Sequence, residues 1–406
     1  MTATQVVGSA SLVSRFQGLI DEVRAGAVAR ELGRELPIDL VRRLADAGVG
    51  RVRLPVDDGG LDASIAESVQ LTIALSAADA NVGHLLRSHA GFVELVLRRA
   101  PGADRDVWVS RIADGSLVGN ATSELTGTTL ADISTRVAEG DDGIWRLDGR
   151  KFYSTGTLYS DWVYLAAADG DARVTFAVPT DAPGVEIRDD WDGFGQRATA
   201  SGTTVFDGVE VDASQLATYG AGPLTHIQAF YQLHLVAVLA GVAEEVVRDA
   251  ADFVRARTRS YVHANTARPA DDPQVLEVVG RLSTTAFAVR SAVLEAARLL
   301  DVAAASAEPG DALDARLLEE AEIAVYQAQV LATDAVPDAA TRLFEVGGAS
   351  ATERTRALDR HWRNARTVAS HNPATFKART IGAWEVSGTG PLGVWHRYET
   401  VGPTRF

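Results

Sequence analysis

His371 stands in Ser370-His371-Asn372-Pro373, inside the most basic stretch of a chain whose net charge is -15. Around it lie Arg354, Arg356, Arg360, Arg363, Arg366, Lys377 and Arg379, against the single acid Asp359. Such a local reversal of charge fits a bound anion, an acidic neighbouring surface, or a solvated helix face. An imidazole in this setting can exchange a proton near neutral pH. No Asp or Glu occurs from Arg360 to Arg379, so this segment offers no carboxylate base. His89 is the second histidine of interest, sharing a helical face with Leu85, Phe92 and Val96. A histidine on such an apolar face is ordinarily a satisfied core residue. Arg255, Arg257 and Arg259 add planar donors suited to phosphate, and some of them are simply solvated. Gly347-Gly348 reads locally as a helix-ending pair. The absence of cysteine rules out disulfides, thiolate metal sites and a cysteine nucleophile, and fits a cytoplasmic protein.

These residues need a scaffold, and 406 residues can bury a large core in two or three domains. Helical spacing of Leu12, Phe16, Leu19, Ile20 and Val23 opens the chain. Further helices are expected from Pro37 to Leu44, over 64–78 and over 82–99. The pattern then changes to short alternating runs at 162–168, 173–179 and 203–211, broken by Gly, Pro and Asp. The run from Trp145 to Lys151 reads as a strand entering a tight Asp148-Gly149 turn. Long periodic segments follow near 224–259, 273–300, 313–346 and 352–370. The expected fold class is α+β: an N-terminal helical domain (1–116), a central antiparallel β domain (117–213) and a C-terminal four-helix-bundle-like domain (214–406). No apolar run approaches the roughly 20 residues of a membrane span, and the acidic total argues against nucleic-acid binding. The first residues lack the basic and apolar regions of a signal peptide.

Four blocks, taken in order, resemble a known family. They are Asn120-Ala121-Thr122-Ser123-Glu124, the segment from Asp148 to Gly156, the segment from Trp191 to Gly202, and the segment from Asp359 to Lys377. Together they resemble the dibenzothiophene monooxygenase-like group of the acyl-CoA dehydrogenase fold. The resemblance implies a two-component flavin-dependent monooxygenase. Such an enzyme takes reduced flavin, FMN or FAD, from a separate reductase and captures molecular oxygen as a C4a-hydroperoxyflavin. It then oxygenates a small hydrophobic, aromatic or heteroaromatic substrate. His371 would support the oxygenated flavin, Thr155 would orient the ring near its reactive N5 side, and His89 would contact substrate. Tyr153 or Trp191 would wall the ring, while Asn120, Thr122, Ser123 and Ser154 would line its edge. Arg257 would meet the flavin phosphate, and Gly347-Gly348 would help hold a neighbouring subunit's cofactor in a homotetramer. Two departures, Val368 and Val93, stand where the pattern often has histidine and tyrosine, and they loosen the expectation of a sulfur heterocycle. The alternatives are an acyl-CoA dehydrogenase, with Glu244, Glu245 or Glu277 as its base, an amine or amino-sugar N-oxygenase, and an inactive helical assembly.

Overall fold

A computed structural model describes residues 12–125 and 133–392. Local chemistry sets the helix starts. Ser64 accepts a hydrogen bond from the Glu67 N–H, and the Glu67 carboxylate accepts one from the Ser64 N–H, a reciprocal cap. The N-terminal helices are α1 (Gln17–Gly33), α2 (Ile38–Asp46), α3 (Ile65–Ala78), α4 (Ala80–Leu85), α5 (Arg87–Arg98) and α6 (Ala103–Ala113). The single helix expected over 82–99 is thus two helices that meet at Leu86. Beside this break the Gly83 carbonyl accepts from His234 Nε2 at 2.9 Å, anchoring a side chain of the C-terminal domain there.

Among the described residues eight strands follow: β1 (Val118–Ala121), β2 (Arg136–Glu139), β3 (Trp145–Lys151), β4 (Trp162–Asp169), β5 (Ala172–Pro179), β6 (Val185–Ile187), β7 (Thr204–Val211) and β8 (Ala217–Thr218). They form one sheet in the order β6-β7-β3-β2-β4-β5-β8, with β1 also paired to β4. The sheet is mixed rather than antiparallel, because β1 runs parallel to β4 and β2 meets β4 in parallel. The expected Asp148-Gly149 turn is a bulge within β3, where the register against β7 shifts between Leu147 and Gly149. Gly149 sits at φ +150°, and a Cβ there would fall 2.5 Å from Thr135 Oγ1. Two neighbouring glycine-turn residues can therefore serve a strand as readily as a hairpin.

The C-terminal domain contains α7 (Ile227–Ala256), α8 (Pro273–Ala304), α9 (Ala315–Arg342), α10 (Asp359–Ala369) and α11 (Ala374–Ser387). By length and composition α7 is apolar enough to cross a bilayer, contrary to the sequence reading, but it is largely buried among α3, α8 and α9. The helix expected over 352–370 is shorter, with 3₁₀ turns before α10, and α11 was not foreseen. Asp301 of α8 accepts from the Ile65 and Ala66 N–H groups at 2.7 and 3.0 Å, a carboxylate cap that ties α3 to the C-terminal bundle.

Candidate active site

Three parts of the chain converge on the first turn of α5. Ser88 Oγ donates to Asn120 Oδ1 at 2.5 Å and lies 3.2 Å from the Thr155 carbonyl, which joins α5 to the β domain. Its neighbour Arg87 turns the other way. Arg87 Nε donates to the Tyr231 carbonyl at 3.0 Å, and the guanidinium lies 4.9 Å from the Tyr231 ring centroid. Gly91, one turn further along α5, lets that ring seat: a Cβ there would lie 2.1 Å from Tyr231. Gln232, next on α7, accepts from Asn372 Nδ2 at 2.6 Å and so fixes the loop that carries His371.

The His371 ring is reached by solvent, yet protein walls it and Arg87 acts on it. Burial first, and the Arg87 charge second, lower its pKa to about 3, against a smaller opposing effect of Asn372. His371 is therefore neutral at physiological pH, with one N–H to donate and one lone pair. His84 is buried, and its Nδ1 lies 3.0 Å from Gln196 Oε1. Burial, His371 and Arg87 all depress its pKa.

Thr155 begins a chain of hydroxyls. Its Oγ1 lies 2.8 Å from Ser201 Oγ, which lies 2.7 Å from Thr199 Oγ1, which donates to the Gln196 carbonyl at 2.8 Å. The last acceptor is a carbonyl, so the protons are ordered along the chain. Thr199 donates to Gln196, Ser201 to Thr199, and Thr155 to Ser201. Thr155 then presents only lone pairs to anything else. Around this chain Ser154 Oγ, Gln196 Nε2 and His84 Nε2 are buried with no partner among the described residues. Leaving such groups unmet costs about 1–3 kcal/mol each, so three in one cluster fit the polar edge of a bound heterocycle. On this test the residues suit a flavin ring, with Ser154, Thr155 and Gln196 along its edge.

Other expected residues take different places. His89 is tied at both nitrogens: Val118 N–H donates to Nδ1 at 3.1 Å, and Nε2 meets the Gly50 carbonyl at 2.7 Å. Burial lowers its pKa to about 4. It is a neutral brace between α5, β1 and the loop at Gly50, with neither nitrogen left for substrate, which corrects the catalytic expectation. Its ring borders an apolar cavity of about 50 Å³, with Leu86, Val93 and Phe230, that has room for water but not an aromatic ring. Asn120 is spent on Ser88 and Thr122, and the Ser123 carbonyl accepts from Phe152 N. Tyr153, at φ +61°, is half exposed and forms an outward aromatic group with Phe152 and Trp191, whose ring is 6.1 Å away.

Arg257 Nη1 donates to the Val346 carbonyl at 3.0 Å, beside Gly347, which packs on Phe253, and Gly348 at φ +53°. The sequence grouping of these three is thus a spatial grouping. Yet Arg257 follows His234 by 23 residues along α7, about 35 Å at the helical rise. Within one chain they do not meet the cluster around Thr155 and His371. The carboxylates weighed as dehydrogenase bases are also engaged elsewhere: Glu244 with Arg290, Glu245 with Arg24 and Arg248, and Glu277 with Arg281. Glu94 of α5 is held to about 2 by Arg53 and His226, against burial. Gln196 and Ser201 fall in the Trp191–Gly202 block without being singled out there, and Arg87 and His84 were missed. Arg87 carried a signal, being a charged residue on a predominantly apolar helix. The others depend on long-range contacts across the domains.

The domain order has a counterpart among known proteins. The acyl-CoA dehydrogenase N-terminal, middle and C-terminal domains match residues 16–116, 120–209 and 233–376. A dibenzothiophene monooxygenase of Rhodococcus erythropolis is 28% identical over 94% of each chain. A probable FMNH2-dependent monooxygenase of Pseudomonas putida is 28% identical over 90% of this chain and 95% of its own. The solved methanesulfinate monooxygenase of Pseudomonas fluorescens is 28% identical, covering 93% of this chain and 97% of that one, with a TM-score of 0.84. Fold and site together define a flavoprotein of the acyl-CoA dehydrogenase fold. Within that fold the chain belongs to the dibenzothiophene monooxygenase and FMNH2-dependent monooxygenase family, and it is a flavin-dependent monooxygenase.

Proposed function

We propose that this chain is the oxygenase component of a two-component system. It takes reduced FMN from a separate reductase and uses dioxygen to oxygenate a small, largely apolar, aromatic or heteroaromatic substrate. Reduced flavin supplies the two electrons for dioxygen activation, one oxygen atom entering the substrate and the other leaving as water. The observation that carries the reading is the placing of the His371 loop, pinned by Asn372 to Gln232, with the Arg87 charge acting on the imidazole and no carboxylate from Arg360 to Arg379. A neutral imidazole, steadied by Asn372, can donate a hydrogen bond to an oxygen atom without releasing its proton to bulk water. Ser154, Thr155 and Gln196 would hold the ring, and the surrounding walls would limit water entry. Abstraction of an acyl alpha proton needs a positioned base, and the pairings of Glu244, Glu245 and Glu277 speak against them in that role.

We further propose a cytoplasmic homotetramer in which Arg257, Gly347 and Gly348 serve the flavin of a neighbouring subunit. The length of α7 supports that assignment, because the same chain's site is out of their reach. The test is anaerobic. The protein should bind chemically reduced FMN, and no acyl-CoA should reduce an artificial electron acceptor through it. Acyl-CoA-driven reduction of the acceptor without oxygen would overturn the monooxygenase reading.

A further inference from the structure

The buried guanidinium of Arg87 lacks the partner that its counterparts have. Arg30 pairs with Asp79 at 2.8 Å, Arg53 with Glu94 at 2.6 Å and Arg360 with Asp249 at 2.7 Å. Arg98, also buried, gives its terminal nitrogens to the carbonyls of Ala307, Glu308 and Asp311. Arg87 is 9% exposed and has no acid within ion-pair distance among the described residues. Its recorded hydrogen bond uses Nε alone, leaving the two terminal nitrogens without one among those residues. Three imidazoles surround it electrostatically, those of His84, His234 and His371, and its charge disfavours protonation of each. A desolvated positive charge amid neutral imidazoles is costly unless an anion joins it. The Nε2 of His84, a side chain on which the Arg87 charge acts and which is 5% exposed, has no partner among the described residues.

We propose that Arg87 is an anion-binding subsite for substrate, and that the substrate is a small organic oxyanion of the sulfinate or carboxylate class. The planar fork of Arg87, with Nε already committed to Tyr231, offers its Nη groups to two oxygens of one such group. The Tyr231 face and Gly91 hold the fork in place, so little conformational freedom is lost on binding. This inference rests on the flavin reading of the same site and adds a charge to the substrate class.

Titration calorimetry of the FMN-saturated protein with benzenesulfinate, benzoate and neutral indole tests it. The parent should bind at least one of the anions, more weakly at high salt. Arg87→Gln should lose about tenfold or more of that affinity, the scale of a hydrogen bond to a charged group. Indole binding should change less than about twofold, the size expected when no charged contact is lost. Arg87→Lys, which keeps the charge and loses the fork, should fall between and guards against misfolding of the glutamine variant. Three results would overturn the proposal: no binding of either anion by the parent, equal anion binding by Arg87→Gln, or a loss confined to FMN affinity, which would give the guanidinium to the cofactor. The same titrations without FMN separate the two readings. A parent that takes the anion but no flavin refutes the flavin assignment and leaves this subsite standing.

Discussion

At the scale of single residues, proton placement decides what the site can hold. The Thr155–Ser201–Thr199 chain ends on the Gln196 carbonyl, so Thr155 can accept a hydrogen bond but not donate one outward. Reduced flavin carries an N–H at its central reactive nitrogen, whereas oxidised flavin carries a lone pair there. A Thr155 fixed as acceptor and facing that nitrogen would favour the reduced form. Ser201→Ala frees the Thr155 proton and should narrow the preference for reduced over oxidised FMN by about fivefold to tenfold, one ordinary hydrogen bond. Paired dissociation constants for the two redox forms check this. An unchanged ratio would mean that Thr155 does not face that nitrogen. His371 and His89 make the complementary point. In sequence His89 sits on an apolar helical face and His371 in a basic stretch, which makes His371 the stronger site candidate. In the fold one has both nitrogens bonded to backbone and the other is reached by solvent. That difference lies in the approach of Gly50 and Val118, which neither helical period nor composition reveals.

At the scale of elements, α11 docks on α9 over a buried acid. Glu322 is 3% exposed, and burial raises its pKa to about 7, against a smaller opposing effect of Lys377. The Lys377 ammonium lies 3.9 Å from the Tyr326 ring centroid. Folded, Glu322 holds its proton up to about pH 7; unfolded, it releases it near 4.5. The folded state therefore binds more protons between these values, so this contribution is full below pH 4.5 and is lost as pH rises through 7. Relative to the parent, Glu322→Gln should gain about 3 kcal/mol between pH 4.5 and 8, from the size of the shift. Urea melts at both pH values measure the gain, and a constant difference between variant and parent would place the carboxyl in solvent. The helices themselves were largely legible, because Ser64 with Glu67 and the long apolar periods are local signals. The bulge at Gly149, the parallel pairing of β1 with β4 and the break at Leu86 were not, since each is set by a distant partner.

At the scale of the whole molecule, the two helical domains and the sheet meet where Ser88, Thr155, Gln196, Tyr231 and His371 come together. The order of domains could be read because four sequence blocks fall in the family's order. The composition of the site could not, because Arg87, His84 and Gln196 gain their meaning only when α5, the loop before β7 and the His371 loop converge. The central claim is that this convergence protects oxygen chemistry on reduced flavin. Rapid mixing of the anaerobic protein–FMNH2 complex with oxygen, with hydrogen peroxide and oxidised flavin followed over time, tests it most directly. The account predicts that peroxide release by the parent lags far behind its release from free reduced FMN. His371→Ala should remove most of that lag while still binding reduced FMN, with an acceleration of roughly tenfold to a hundredfold, the scale of one hydrogen bond to a charged oxygen. Peroxide release from the parent as fast as from free flavin, or a lag unchanged in His371→Ala, would contradict it.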